Sequence, residues 1–251
     1  MNSLDGKSVF VTGGASGIGQ ATALAFAERG ARVLVADVDV DGAQETLRLV
    51  ELGGGEANFV SCDVGEAASV EAAVDRCVEL YGRIDCAFNN AGILGEMTLT
   101  ADCSEENYDR IMRVNLKGIW LSMKYEIPHM LRQGGGVIVN TASNAGMTGT
   151  PELGVYSATK GGVVMLTRSA ALEYARSNIR INCVCPGLIS TPMVAQQAID
   201  YPDAVANFTE LEPIGRLGRP EEIAEAVVWL SSDAASFVTG HPMAVDGGIL
   251  A

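Results

Sequence analysis

Short β-branched runs alternate with longer amphipathic stretches from the start of the chain. Residues 8–12 are strand-like, 18–29 carry a helical period, 32–36 are strand-like again and 42–52 helical again. The rhythm continues with strand-like runs over 57–61, 85–88, 137–140 and 180–184, each beside a helical pattern. Strands separated by helix-length segments cannot pair as hairpins, so this order predicts a mainly parallel sheet covered by helices on both faces. Glycine and proline fall between the runs, at 53–55, at 134–136 and at Pro186-Gly187, and none of them opens a long polar linker. The expectation is one doubly wound α/β domain over residues 1–251, without repeats or low-complexity tracts.

Composition narrows the function classes. Hydrophobic residues make up 48% and charged residues 19%, enough apolar material for a sizeable core. The formal net charge of −14 repels a phosphate backbone at long range, which argues against nucleic acid. No apolar run approaches the roughly 18 residues that span a bilayer, and 9–11 is too short for a signal-peptide core. A cytoplasmic protein without membrane attachment is expected. Six cysteines lie scattered in apolar sequence, the pattern of buried free thiols. Cys183 and Cys185 alternate in a strand-like run with no histidine nearby to complete a tetrahedral set, so core packing is expected there and no metal.

The segment from Thr12 through Gly13, Ser16, Gly17 and Ile18 to Gly19 follows the first strand and opens the first helix. There a dinucleotide's pyrophosphate needs small residues and free N–H groups. The spacing is Gly-x-x-x-Gly-x-Gly, not the commoner Gly-x-Gly-x-x-Gly, and a glycine-rich turn alone is weak evidence. Asp37 ends the second strand, where an acid can accept hydrogen bonds from the adenosine ribose and would repel a 2′-phosphate. With Asp39 close by, Ser16 in the loop and no arginine following, NAD is expected over NADP; a solvated strand-end aspartate is the alternative. Asp63-Val64 and Asn89-Asn90-Ala91-Gly92 each fall just past a strand, so adenine could lie between those loops, although Asx and glycine residues after strands are also ordinary turn chemistry.

Tyr156 and Lys160 are four apart at the start of a long helical pattern and share one face. A cation about 4 Å from the phenol contributes up to ~4 kcal/mol, which would bring a pKa near 10 towards neutrality and make a usable general base. Ser143, just past a strand, can hydrogen-bond a substrate oxygen as its charge changes. Asn115 falls mid-helix with Ile111 and Ile119 one turn to either side, on a core face, where an unpartnered amide costs about 1–3 kcal/mol. A water leading to Lys160 or a bond to another helix would satisfy it.

Together these residues resemble the short-chain dehydrogenase/reductase family over essentially the whole chain. The resemblance covers Thr12 to Gly19, Asp63, Asn89 to Gly92, Asn115, Ser143, the Tyr156-Ser157-Ala158-Thr159-Lys160 segment, Pro186-Gly187 with Thr191, and the closing Val245-Asp246-Gly247-Gly248. It implies a Rossmann-type, seven-stranded sheet and a catalytic tetrad of Asn115, Ser143, Tyr156 and Lys160. It also implies that Lys160 holds the nicotinamide ribose, that Ile189 and Thr191 fix the carboxamide, and that the protein is a homotetramer. Where the family often has two adjacent serines, this chain has Ala142-Ser143, which leaves the reactive hydroxyl in place.

Residues 192–215 carry Met193, Tyr201, Phe208 and Leu211 with three prolines, which suits a lid over a bound ligand around 190–215. Met97, Met147 and Leu153 could line the same pocket, and these loops hold few cations to clamp a carboxylate or phosphate. A neutral secondary alcohol or ketone, alicyclic or steroid-like, is the expected substrate. Small apolar residues on more than one face of 155–175 suit a helix covered by a partner subunit. The rival readings are an NADP-dependent carbonyl reductase and a dinucleotide-binding regulator that has lost its chemistry.

Overall fold

The computed structural model describes residues 4–202 and 212–251. Seven strands form one parallel sheet in the order β3-β2-β1-β4-β5-β6-β7: β1 (Ser8–Thr12), β2 (Arg32–Asp37), β3 (Glu56–Ser61), β4 (Cys86–Asn89), β5 (Gly136–Thr141), β6 (Ile179–Pro186) and β7 (Pro242–Val245). The order reverses between β1 and β4, so the crevice beyond their carboxyl ends is where an open α/β sheet binds ligands. All five residues of β1 are buried, as a strand covered on both faces requires.

Strand alternation divides the core. Phe10 of β1 packs with Leu34, Val74, Leu121 and Val163 on one face, whereas Val9 and Val11 pack with Phe26, Ile223 and Val227 on the other. The first face is covered by α3 (Ala67–Tyr81), by α5 (Gly118–Gln133) and by α6 (Gly154–Tyr174); the second by α1 (Gly17–Ala27) and by α8 (Pro220–Ser231), with α2 (Val40–Leu52) beside them. Among the described residues the α-helices also include α4 (Glu105–Ile111), which runs through a π-helical segment, Met112–Lys117, into α5, and α7 (Pro192–Asp200).

Six of the strands and the first helices fall where the periodicity puts them, within one or two residues. Helix α2 begins at Val40 and not at 42, because the Asp39 side chain accepts from Gly42 N at 3.1 Å and caps the turn. The expected lid over 190–215 contains α7, whose N-cap Thr191 accepts from Val194 N at 3.4 Å. Phe208 and Leu211, two of its apolar residues, lie outside the described residues. Among the described residues no helix is long and apolar enough to cross a membrane.

Candidate active site

A cavity of about 700 Å³ opens beyond the carboxyl ends of the central strands. Its walls bring together every catalytic and cofactor-binding residue expected from the sequence except Gly19 and Asn115, which lie just behind it.

One end is built by the turn from β1 into α1. Gly13 and Gly17 have φ of +65° and +54°, and a Cβ on Gly13 would sit 2.7 Å from Ala91 Cα. A Cβ on Gly19 would collide with the Gly13 carbonyl, so the sequence permits this turn only with glycine there. Ser16 makes no side-chain cap and the first turn of α1 holds no acid, which leaves the helix N-terminus free to receive an anion. These residues fit the pyrophosphate of a dinucleotide. Asp37 lines the same end, its carboxylate accepting from Ala15 N and Asp39 N, both at 3.0 Å.

The loop after β4 is clasped to the glycine turn. Thr12 Oγ1 accepts from Asn90 N at 3.0 Å and Ala91 N at 3.2 Å, while Asn90 Nδ2 donates to the Gly13 carbonyl at 3.0 Å. The Asn90 side chain therefore serves the shape of the cavity, its amide oxygen taking the Thr141 hydroxyl at 3.3 Å. Asp63, half-exposed beside Val64, accepts from Gly65 N at 2.8 Å and from Arg113 at 3.0 Å. Against the desolvation that raises it, these donors hold its carboxyl below the usual range.

The other end carries Ser143, Tyr156 and Lys160. Ser143 follows β5, donates to Asn144 Oδ1 at 3.1 Å and accepts from Ala145 N at 3.1 Å. Lys160 is buried, and its ammonium donates to the Thr141 carbonyl at 2.9 Å and lies 5.6 Å from the Tyr156 ring centroid. Burial pushes this ammonium down to about 8, against the thiols of Cys185 and Cys183, which raise it. The expectation that Lys160 brings the phenol to neutrality is not met in the protein alone. Burial raises Tyr156, and the hydrogen bond with Ser143 opposes that rise. The half-buried ring still meets the cleft, where solvent moderates the effect.

Asn115 is fully buried, as its core-facing position requires. Its side chain pairs with the loop after β4 and not with another helix: Asn115 Nδ2 donates to the Ile93 carbonyl at 2.7 Å and Oδ1 accepts from Ile93 N at 2.8 Å. The π-helical segment around it widens the helix enough to turn the amide toward the loop after β4. A Cβ on Gly92 would stand 3.3 Å from Asn115 Oδ1 and 3.5 Å from Lys160 Nζ, so the two residues face each other across this glycine.

Pro186, Gly187, Ile189 and Thr191 close the far wall; the methyl of Thr191 lies 3.2 Å from where a Gly17 Cβ would be, beside the glycine turn. Leu153 and Met193 line the cavity as expected, but Met97 and Met147 do not; Met97 is buried against Gln197, and Met147 is exposed at 43%. Sequence reasoning missed Thr141, whose contribution is a backbone carbonyl, and Glu212, which accepts from Leu188 N at 2.9 Å and so ties its own segment to the loop after β6. Neither carries a motif.

The family model described as enoyl-(acyl carrier protein) reductase matches residues 13–250. The chain is 45% identical over 246 residues to cyclohexanol dehydrogenase of Acinetobacter sp., covering 98% of this chain and 96% of that protein. It is 44% identical over 253 residues to 2,5-dichloro-2,5-cyclohexadiene-1,4-diol dehydrogenase of Sphingobium indicum, covering both chains fully, at 100% each. The crystal structure of an NAD+-bound xylitol dehydrogenase superposes with a TM-score of 0.93 at 33% identity, covering 98% of this chain and 99% of that one.

Proposed function

Because the chain belongs to the short-chain dehydrogenase/reductase family and is an oxidoreductase of CH–OH groups, we propose that it oxidises a neutral alicyclic secondary alcohol to the ketone with NAD. The observation that carries this reading is one cavity holding Ser143, Tyr156 and Lys160 at one end and the glycine turn with Asp37 at the other. A non-catalytic regulator would have no need of that complete set.

When bound, a nicotinamide dinucleotide supplies the hydride acceptor. Gly13, Ser16, Gly17 and Ile18 would hold its pyrophosphate, Asp37 the adenosine ribose, Asp63, Val64 and the loop Asn90 to Gly92 the adenine side, and Pro186, Gly187, Ile189 and Thr191 the carboxamide side. Lys160 would hold the nicotinamide ribose. Tyr156 takes the proton of the substrate hydroxyl, Ser143 holds that oxygen, and the Lys160 ammonium stabilises the phenolate. Asn115 fixes the Ile93 backbone and faces Lys160 across Gly92.

Support for NAD comes from the cations that line the cavity among the described residues: Lys160, at the catalytic end, and Arg113, which is already paired with Asp63 and Glu66. None stands ready for a 2′-phosphate beside Asp37. The same scarcity favours an uncharged substrate, and the relatives named for cyclohexanol and a cyclohexadiene-diol support a ring. NAD reduction by the purified protein over a panel of cyclic, steroidal and linear secondary alcohols tests this. Cyclic alcohols are expected to exceed a sugar phosphate in kcat/KM by at least about tenfold. Equal turnover of the sugar phosphate would sink the substrate assignment.

A homotetramer fits the surface. Met165 and Leu172 on α6 and Trp120 on α5 are exposed at 56%, 83% and 45%, apolar area that a monomer would leave in water. Sedimentation at micromolar concentration is expected to give the mass of four chains, and a monomer mass overturns the assignment.

A further inference from the structure

Behind the catalytic wall lies a fully buried polar cluster that the reaction as described does not use. Asn89 on β4 donates through Nδ2 to Glu126 Oε2 and to Asn140 Oδ1 on β5, both at 3.1 Å. Asn140 Nδ2 donates to Thr167 Oγ1 on α6 at 2.9 Å and approaches Met123 Sδ at 3.4 Å. Glu126, Asn89, Asn140 and Thr167 each have no exposed surface. Asn89 and Asn140 are direct register partners, in line with Cys183 of β6.

Each strand residue in this row immediately precedes a part of the site. Asn89 is followed by the loop that clasps the glycine turn and carries Gly92; Asn140 is followed by Thr141, whose carbonyl receives Lys160. A carboxyl group placed wholly inside a sheet–helix interface is costly unless it organises something. Here it anchors Asn89, whose amide in turn joins β4 to β5, the two strands that end at the catalytic face.

We propose that Glu126 is a positioning residue for the reaction: through Asn89 and Asn140 it fixes the carboxyl ends of β4 and β5, and with them the carbonyl that holds Lys160. This rests on the alcohol-oxidising reading of the site. Two buried acceptors in the cluster, Glu126 Oε1 and Asn89 Oδ1, have no donor. Burial favours the neutral, protonated form of Glu126, pushing the carboxyl up to about 8 against the Asn89 hydrogen bond, which lowers it. Among the described residues no cation acts on it. Beta strands β4 and β5 and helix α6 face it with neutral Asn89, Asn140 and Thr167, and the titratable neighbour is the Cys77 thiol of α3, itself pushed up to about 12 by burial and by Glu126.

The sign of the pH effect follows. The folded chain holds this proton up to about 8 while the unfolded chain releases it near 4.5, so the group's contribution to stability falls as pH rises between those values. Ionisation strengthens the pull of Glu126 on Asn89 Nδ2 at the expense of its bond to Asn140, which loosens the hold on Thr141.

The test compares wild type with Glu126→Leu and Glu126→Gln, using cyclohexanol and NAD. Glu126→Leu is expected to lower kcat about tenfold with KM for the alcohol within about twofold, and Glu126→Gln to restore most of that loss by supplying a neutral acceptor and donor. The ratio of Glu126→Gln to wild-type kcat should rise severalfold from pH 6.5 to 9.5; titrations of Tyr156 and Lys160, common to both proteins, cancel in it. The melting point of Glu126→Gln relative to wild type should climb by about 5 °C between pH 5 and 8.5. Wild-type kcat in Glu126→Leu, Glu126→Gln as slow as Glu126→Leu, a flat ratio, or a constant melting difference each overturns the proposal. If Glu126→Leu does not fold, the two pH comparisons decide. The melting comparison uses no substrate, so its failure counts against Glu126 alone, whereas an inert wild type counts against the proposed function alone.

Discussion

Tyr156→Phe is expected to lower kcat for alcohol oxidation by about 10²- to 10⁴-fold, the usual contribution of a general base, while KM for the alcohol stays within about threefold. The substitution removes one oxygen and leaves the ring that lies 5.6 Å from the Lys160 ammonium, so packing and cofactor retention should persist. The size of the loss follows from where the phenol sits. Burial raises its pKa and only the Ser143 hydrogen bond opposes this, so Tyr156 depends on its surroundings to give up its proton. Lys160 is charged below about 8 and loses that charge above it. Phenolate therefore gains with pH while its stabilising cation declines, and kcat/KM for oxidation should pass through a maximum on the alkaline side of neutrality. Retention of more than a tenth of wild-type kcat in Tyr156→Phe would mean another group is the base.

Much of this arrangement was legible in the chain because it depends on local chemistry. The β-α alternation placed six strands within two residues of their observed positions, since parallel strands buried on both faces read as continuous apolar runs. The seventh, Pro242–Val245, is only four residues long and half-buried at the sheet edge, so it leaves no periodic signal and came from the family resemblance alone. The glycine turn was visible because positive φ at Gly13 and Gly17 and the tight approach at Gly19 exclude other residues.

What escaped the sequence is what depends on distant parts of the chain. Asn115 showed itself as an amide on a core face, but its partner, the Ile93 backbone, could not be foreseen because the π-helical segment that turns it there has no period of its own. The pull of Lys160 on Tyr156 was overestimated from spacing alone: the ammonium is spent partly on the Thr141 carbonyl, and burial acts on both groups. Glu126 gave no sequence sign at all. A glutamate in a helix ordinarily faces water, and only the sheet register reveals that this one lies under two asparagines.

Removing the charge at Asp37 should change cofactor choice more than any other single substitution. The wild type is expected to favour NAD over NADP by about 10²-fold in kcat/KM. Like charges about 4 Å apart cost up to ~4 kcal/mol at an effective dielectric near 20, and the half-buried position screens part of that. Asp37→Ala should bring the two cofactors to near parity, through a gain with NADP and a loss with NAD. The loss has two sources, because the carboxylate also accepts from Ala15 N and Asp39 N and so holds the glycine turn against the start of α2. Asp37→Asn separates them: it keeps one acceptor for the turn but has no charge, so repulsion of the 2′-phosphate disappears while more of the NAD activity remains. The selectivity that survives in Asp37→Asn should be insensitive to salt, whereas that of the wild type should shrink as salt screens the partly exposed charge. A wild type that uses NADP as well as NAD at low salt would show that Asp37 does not select the cofactor, and would move the protein to the carbonyl-reductase reading.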